Sequence, residues 1–342
     1  MDPSLCLSVI IPVLDDADRL SVLLEDLDQQ RGVELDVVVV DGGSRDDPKS
    51  VVEAYGGRFV TGKTGRGRQM NRGVDAADCN RLLFLHADSR LHNSWLLADA
   101  IGCWRRATPA GDRRTAGRFP LKFGDRDNGA ALRYRFLEAK TRLERPGVFN
   151  GDQGLMIHRQ FFEQLGGFDE TRPFLEDQKI GEMLDDIGRW VIFDEPIETS
   201  ARRFVKEGFG HRYGAMALIV AAHVSGVDEF FETVDELYAP QCDTKPVSLP
   251  ELSGQMLRLI AQMEPGRRRQ VMRDIAALIV GNAWQVALWV DVVGGFDDAA
   301  LQYFRVFVEP VIDSIDVERL GAISGAAIGA FGGQLTSLSD QS

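Results

Sequence analysis

Cysteine is scarce: four among 342 residues, Cys6, Cys79, Cys103 and Cys242, with no C-x-x-C pair. That scatter suggests neither a zinc ribbon nor a disulfide framework, and it fits a reducing cytoplasm. A basic leader is also missing. The first apolar run, Leu5 to Leu14, leads straight into a domain pattern, which speaks against a signal peptide. No uncharged run reaches roughly 18 residues, so no membrane-crossing segment and a soluble chain are expected. Positive charge is in deficit as well, with 39 Lys and Arg against 52 Asp and Glu for a formal net charge of −13. Such a field repels phosphate backbones and disfavours a nucleic-acid partner, leaving room only for local basic patches. What remains is of ordinary globular make-up, 44% hydrophobic and 27% charged. Its length allows a little over two domains at roughly 150 residues each.

Two textures alternate from Leu7 onward. Leu7 to Val13, Leu35 to Val40, Arg58 to Thr61 and Arg81 to Leu85 read as buried strands. Between them Arg19 to Gln30, Asp47-Pro48 to Ala54 and Gln69 to Ala77 read as helices. The pattern predicts a mostly parallel sheet flanked by helices, a Rossmann-like α/β class in which ligands sit beyond the carboxyl ends of the strands. Those ends carry Pro12 to Asp16, Asp41 to Ser44 and His86 to Asp88, so three polar loops should converge on one crevice. After Asp99 the alternation loosens. Gly117 to Phe123, Gly154 to His158 and Trp190 to Phe193 read as strands, the last of them final; Leu132 to Leu143, Gln160 to Leu165 and Phe174 to Ile187 read as helices. This gives a first domain over 1–240, a Pro-containing linker over 241–250 and an all-helical region over 251–342, with helices at Leu252 to Met263, Arg267 to Val293 and Leu301 to Ile315. The Ala- and Gly-rich stretch from Leu320 to Gly333 has no readable role.

Gly57 to Thr64 spells G-x-x-x-x-G-K-T, the phosphate-cradling loop of P-loop enzymes. Its context is wrong, because Ala54-Tyr55-Gly56 ends a helix and Arg58-Phe59-Val60 is itself strand-like. Asp41, closing an all-valine strand, has the position to accept hydrogen bonds from a base or ribose; a plain turn at a strand end is as good a reading. Asp88 is a single strand-end carboxylate of the kind that holds a divalent cation together with substrate phosphates, and His86 beside it suits manganese better than magnesium. Lys63, Arg66, Arg68 and Arg72, interleaved with glycine, form a local phosphate attractor. Glu176-Asp177, downstream of Gly151-Asp152-Gln153, either caps a helix or supplies a base for an acceptor hydroxyl.

Together these residues resemble the family 2 glycosyltransferases of the GT-A fold, over Leu7 to about Arg203. Ser8 to Pro12 resembles the opening strand, and Val38 to Asp41 with Gly42-Gly43-Ser44 the nucleotide-contacting Asp and its turn. Arg68 with Asn71 resembles the Arg-Asn of the next helix. Phe84 to Asp88 stands where the family has its Asp-x-Asp metal motif, and Gly166 to Asp169 followed by Glu176-Asp177 resembles the acceptor-side segment, whose Asp is the catalytic base. A closer likeness is to the radical-SAM and selenodomain-associated transferase 2 subgroup, carried by Gly65 to Asn71, His86 to Asp88, Gly151 to Gly154 and Thr199 to Arg203. Three departures stand out: His86 replaces the first Asp of the metal motif, Asp15-Asp16 stands where Asn-Glu is usual, and Gly42 replaces a second acidic residue.

The resemblance implies an inverting, metal-assisted transfer from a nucleotide-diphospho-sugar to an unknown hydroxyl acceptor, small-molecule, lipid or glycan, with Asp177 as general base. Pro12, Val13, Asp16 and Asp41 would hold the nucleoside; Arg66, Arg68, Asn71, Ala87, Asp88, Arg202 and Arg203 would line the donor site. Gly151, Asp152, Gln153 and Glu176 would lie on the acceptor side, and Asp88, His86 and His211 would hold Mn2+ or Mg2+. The C-terminal stripe Ile279, Ala283, Val286 and Val290, with Trp284 and Trp289, is spaced for a helix core or a homo-oligomer interface. Competing readings are an idle nucleotide-sugar-binding protein on the same fold, motivated by His86, a P-loop NTPase using Lys63, and a sugar nucleotidyltransferase. The last should carry a Gly-rich loop after the first strand, and Pro12-Val13-Leu14-Asp15 is not one.

Overall fold

The computed structural model describes residues 6–108, 112–171, 175–237 and 248–314. These group into two compact units, 1–202 and 203–342. The first unit opens with β1 (Cys6–Val13), α1 (Ala17–Asp28), β2 (Glu34–Asp41), α2 (Pro48–Ala54), β3 (Arg58–Thr61), α3 (Arg66–Ala76) and β4 (Arg81–Phe84). It continues through α4 (Leu96–Ala107), β5 (Thr115–Arg118), β6 (Leu121–Gly124), α5 (Ala131–Lys140), β7 (Leu155–His158), α6 (Arg159–Gln164), α7 (Glu176–Ile187), β8 (Arg189–Ile192) and β9 (Ile197–Ser200).

Seven strands form one sheet in the order β3-β2-β1-β4-β7-β5-β8, and β6 pairs with β9 in a second. The β-branched runs of β1 and β2 suit a strand buried on both faces, and Val9 to Ile11 and Val38 to Val40 are fully buried. β1 runs parallel to β2 and β4, and β2 to β3, so the carboxyl ends of four adjacent strands face one side. β7 is antiparallel to both β4 and β5. Ile10, Val38, Val40, Leu82, Phe84, Leu155 and Ile157 pack against Met70 and Val74 of α3, Phe161 and Phe162 of α6, and Ile180 and Leu184 of α7. Each such side chain contributes roughly 1.5–3 kcal/mol by burial, enough to override local propensity in short strands.

The expected strand Gly117 to Phe123 is two strands in two sheets, separated at Phe119-Pro120, where proline supplies no N–H to a ladder. β8 is followed by β9, so the strand at Trp190 is not the last. Helix α4 was not anticipated. Of the P-loop pattern, Arg58–Thr61 is β3 itself, paired with β2, and the Thr64 hydroxyl donates to the Gly42 carbonyl at 2.6 Å; no phosphate cradle is left, and the P-loop reading is withdrawn.

Cys6 and Cys79 are joined by a disulfide, contrary to the reading of the cysteines as unpaired. The pairing is tertiary: Cys6 begins β1 and Cys79 precedes the parallel neighbour β4, which brings their Cα atoms to 5.7 Å. Cysteine usage therefore gives no support to a reducing compartment.

The second unit is helical where described: α8 (Arg202–Glu207, which starts on the last residue of the first unit), α9 (Phe209–Val224), α10 (Asp228–Leu237), α11 (Leu249–Gln262), α12 (Pro265–Gly281), α13 (Trp284–Gly294) and α14 (Ala299–Tyr303), then a π-helical turn over Phe304–Val308 and α15 (Glu309–Asp313). The division thus falls at residue 202 rather than near 240, because α9 packs with α10, α11 and α12. Most of the expected linker, at 238–247, and the stretch 320–333 lie outside the described residues. The single helix expected over Arg267 to Val293 is two, separated at Asn282-Ala283. Within Pro265–Gly294 an 18-residue window reaches a mean hydropathy of 1.6, enough by length and composition to cross a membrane. It is the one such stretch among the described residues, the turn at Asn282-Ala283 interrupts it, and it does not amount to a clear transmembrane segment.

Candidate functional site

The three expected loops do converge. At the end of β1, the Val13 carbonyl accepts from the Gly42 amide at 3.0 Å, and Asp15, in the left-handed region at φ 50°, accepts from the Arg45 amide. The Asp15 amide donates to Ser44 Oγ at 2.9 Å. Asp41 Oδ1 accepts from both the amide and the hydroxyl of Ser44, at 3.0 and 2.6 Å. One oxygen of the proposed nucleotide-contacting carboxylate therefore shapes its own turn. Beneath this pair of loops lies Gln69, buried in α3, whose Nε2 donates to the Val13 and Val40 carbonyls at 2.9 and 2.8 Å. Gln69 was not singled out as a site residue; a polar side chain on the buried face of a short amphipathic helix was the available signal.

Past β4 come His86, Ala87 and Asp88. His86 Nδ1 lies 2.7 Å from Asp152 Oδ1, which joins the β4 loop to the short 3-10 turn Gly151–Gln153. Asp88 is largely enclosed. Burial first, and the nearby Asp152 second, push its carboxyl above the ordinary range, while His86 and Arg202 pull it back. Arg202 forms a two-pronged pair with Asp16 at 2.9 and 2.6 Å and comes within 3.7 Å of Asp88. Burial opposes ionisation of Asp16, yet Arg202 and then Arg19 outweigh it and hold the carboxyl below its usual value. Pro12, Val13 and Asp41 thus lie at the carboxyl ends of β1 and β2, Asp16, Ala87 and Asp88 on the loops beyond β1 and β4, and Arg202 reaches Asp16 and Asp88 from the first residue of α8.

On the other side of His86 stands the start of α7. Asp177 Oδ2 accepts from the Gly151 amide at 2.6 Å, and Oδ1 from the Gln178 amide at 2.9 Å. Gln178 Nε2 donates to the Phe149 carbonyl at 3.0 Å, fastening α7 to the same turn. The residue before α7, Leu175, is left-handed at φ 67°, a strained geometry that sites and clamps tend to concentrate. Glu176, 2% exposed, pairs with Arg66 Nη1 at 3.2 Å. Its burial raises the carboxyl above its usual range, with Arg66 opposing. Burial likewise opposes the Arg66 charge, but Glu176, Asp177, Asp152 and Asp88 outweigh it. Gly67 is required here, since a Cβ would lie 2.9 Å from the Asp169 carbonyl and 3.3 Å from Glu176 Cβ.

Arg68 and Asn71 bond to the segment 168–170 in this structure. Arg68 Nε donates to the Glu170 carbonyl at 3.1 Å. Asn71 Nδ2 donates to the Phe168 carbonyl and Glu170 Oε1, both at 2.9 Å, and its Oδ1 accepts from the Phe168 amide. Gln153 is fully buried and closes a capping box with Asn150. Arg203, in α8, and His211, in α9, belong to the second unit. Arg118 was missed altogether. It is 1% exposed, donates to the Thr141 and Leu143 carbonyls at 3.0 and 2.7 Å, and burial pulls its pKa down to about 10. A lone Arg in the four-residue strand β5 has no sequence signature.

For a divalent cation, Asp88 offers a hard, enclosed carboxylate. His86 has Nδ1 committed to Asp152, leaving Nε2. Among the described residues no group of three His, Cys, Asp or Glu stands close enough to hold a metal unaided. The residues fit a cation that draws part of its coordination from phosphate oxygens.

Residues 8–165 match the model described as glycosyl transferase family 2. PGL/p-HBAD biosynthesis glycosyltransferases of Mycobacterium tuberculosis and Mycobacterium bovis are 37% identical over 178 residues, 49% of this chain and 62% of theirs. The chain therefore spans less than two thirds of the length of these curated relatives. Staphylococcus aureus TarS 1-349 in complex with UDP is similar at 15% identity and a TM-score of 0.47, over 87% of this chain and 91% of that one. Mannosyltransferase PcManGT from Pyrobaculum calidifontis, in complex with GDP-Man and Mn2+, is similar at 18% identity and a TM-score of 0.46, over 93% and 86%. The part of the chain that holds most of the parallel sheet, residues 8–165, is thus the part similar to glycosyl transferase family 2.

Proposed function

We propose that the protein is an inverting glycosyltransferase that moves a sugar from a nucleotide-diphospho-sugar to a hydroxyl acceptor. The observation that carries the reading is the position of Asp177, held by the Gly151 amide at the turn whose Asp152 binds His86. A base fixed there, linked toward the strand-end carboxylate Asp88 through Gly151-Asp152 and His86, suits attack on a sugar whose diphosphate lies toward Asp88 and Arg202. The acceptor oxygen forms a bond to the anomeric carbon as the bond to the diphosphate breaks, and its proton passes to Asp177. Arg66 and Arg202 stabilise the negative charge that grows on the leaving diphosphate, an interaction strongest in the transition state. A divalent cation at Asp88, with His86 Nε2 as a second donor, supplies Lewis-acid stabilisation of the same charge when bound. Pro12, Val13, Asp16, Asp41 and Ala87 border the nucleoside, with Arg68, Asn71 and Arg203 assigned to the donor and Gly151, Asp152, Gln153 and Glu176 to the acceptor side. His211 is assigned to the cation from sequence alone. The radical-SAM-associated subgroup and a cytoplasmic setting belong to this same reading.

The test is a thermal-shift series with UDP, GDP, ADP, dTDP and CDP, each with Mn2+, Mg2+ or chelator, since a ligand selective for the folded state raises Tm. One diphosphate should raise Tm in a cation-dependent way, and Asp88→Ala should abolish the effect. No shift with any diphosphate would overturn the donor site. Binding with no turnover of any nucleotide-sugar, to acceptor or to water, would leave the idle binding protein as the better reading.

A further inference from the structure

The second unit carries a surface unlike the rest of this acidic protein. Between Ile275 and Phe296 the only charged residue is Asp291. Its carboxylate is buried and accepts from the Ala300 and Leu301 amides, both at 2.8 Å. Outward, Ile279 is 66% and Val286 68% exposed, and Val290, Val293 and Phe296 are exposed with them. Steps of four and three residues place Val286, Val290 and Val293 along one stripe of α13, and Ile279 stands exposed just before the turn that ends α12. Only 28% of the apolar stretch in Pro265–Gly294 is buried, so it is no core helix, and monomers rarely leave so continuous an apolar strip in water.

The ends of the stripe indicate what covers it. Arg268 and Arg269 are exposed at the start of α12, and Asp297 and Asp298 are exposed just beyond α13. A second copy laid antiparallel sets the arginine end of one chain against the aspartate end of the other, twice over by two-fold symmetry; a parallel arrangement sets like against like. The two charge pairs, 268 with 298 and 269 with 297, centre an antiparallel register on Ala283, which sets Ile279 against Ala287 and Val286 against Val280, apolar on apolar. An anionic lipid surface would attract the arginine end but be repelled by the aspartate end, so it matches only half of a charge pattern that a second copy matches in full. We propose that the protein self-associates through this stripe as an antiparallel, two-fold dimer. The homo-oligomer expected from the sequence thereby acquires a surface and a polarity.

The test is sedimentation velocity of the full chain at micromolar concentration, with circular dichroism to check folding. The wild type should sediment with the mass of two chains, and Val286→Glu, at an exposed position, as a folded monomer. Arg268→Glu with Arg269→Glu, or Asp297→Lys with Asp298→Lys, should each weaken association by about 10-fold or more, equal to ~1.4 kcal/mol. The four-site variant should recover it, because only opposed ends are exchanged. A monomeric wild type overturns the proposal, as does a four-site variant no tighter than its parents. A monomer that floats with phosphatidylserine vesicles would give the surface to lipid, and a monomer whose stripe amides resist hydrogen exchange would give it to the chain's own last residues; either result also overturns the dimer.

Discussion

The Gly151 amide donates to Asp177 Oδ2 at 2.6 Å, and the Gly151 Cα faces His86 so closely that a Cβ would lie 2.9 Å from His86 Nε2 and 3.2 Å from Asp177 Oδ2. The two side chains on either side of this glycine therefore depend on its having none. Gly151→Ala should displace one of them by a few tenths of an ångström or more and lower turnover by roughly 10- to 100-fold, the scale on which misplaced reacting groups act. Steady-state rates, with Tm as the folding control, check this; wild-type turnover would show that the turn relaxes freely.

Asp177→Asn keeps the shape and removes the proton acceptor. Turnover should fall ~100-fold or more, while the thermal shift given by nucleoside diphosphate stays that of the wild type. Hydrolysis of the donor by water provides the rate without knowledge of the natural acceptor. Near-full activity would exclude Asp177 as base.

Arg202 joins Asp16 to the neighbourhood of Asp88. Arg202→Ala should raise the Kd of the preferred nucleoside diphosphate by roughly 10-fold, the loss expected for a charge-assisted contact to phosphate. Calorimetric titration measures it. An unchanged Kd would confine Arg202 to bracing Asp16.

Asp169 is held well below the ordinary carboxylate range, first by Lys179 Nζ at 2.8 Å, then by the hydroxyl and amide of Thr171. A lowered folded-state pKa contributes stability above the unfolded value of about 3.9 that is lost as pH falls below it. With Lys179 half exposed and screened, Asp169→Asn should cost about 1 kcal/mol at pH 7. Urea denaturation at pH 7 and near pH 3 should show the difference between variant and wild type shrinking with acid; a constant difference would contradict the linkage.

The Cys6–Cys79 disulfide predicts that denatured, unreduced protein exposes two fewer thiols than the same protein after reduction. Thiol titration counts them, and equal counts would exclude the bond.

Long-range order in this fold was legible where burial wrote it plainly. Val37 to Val40 and Leu7 to Val13 could only be strands enclosed on both faces, and their carboxyl ends locate two of the three converging loops, Arg81 to Leu85 the third. Asp177 needed the resemblance, since Glu-Asp at a helix start is by itself a cap. Helix α4 was legible and passed over: Leu96, Leu97, Ala100, Ile101 and Trp104 fall on one face and are buried together. By contrast, the hydrogen bond between His86 and Asp152, the Arg66–Glu176 pair and the Cys6–Cys79 bond join residues 66, 110 and 73 positions apart. Partnerships of that kind depend on the finished sheet, and local pattern has no access to them. Asn71 shows the converse: expected at the donor from its motif position, it spends its bonds in this structure on Phe168 and Glu170.

Gln69 takes the carbonyls of Val13, the last residue of β1, and of Val40, the next to last of β2, on one amide nitrogen, and the space above it is kept open by Gly42, where a Cβ would meet Gln69 Oε1 at 2.9 Å. The distance between the two loops that would grip a nucleoside is thus set from below, by a group no ligand touches. Substitutions along the rims at Asp15 and Asp16 can retune which nucleoside fits while the floor keeps its width, so donor preference and crevice span can drift apart in descent. A family built on such a floor can change its substrates without rebuilding its frame.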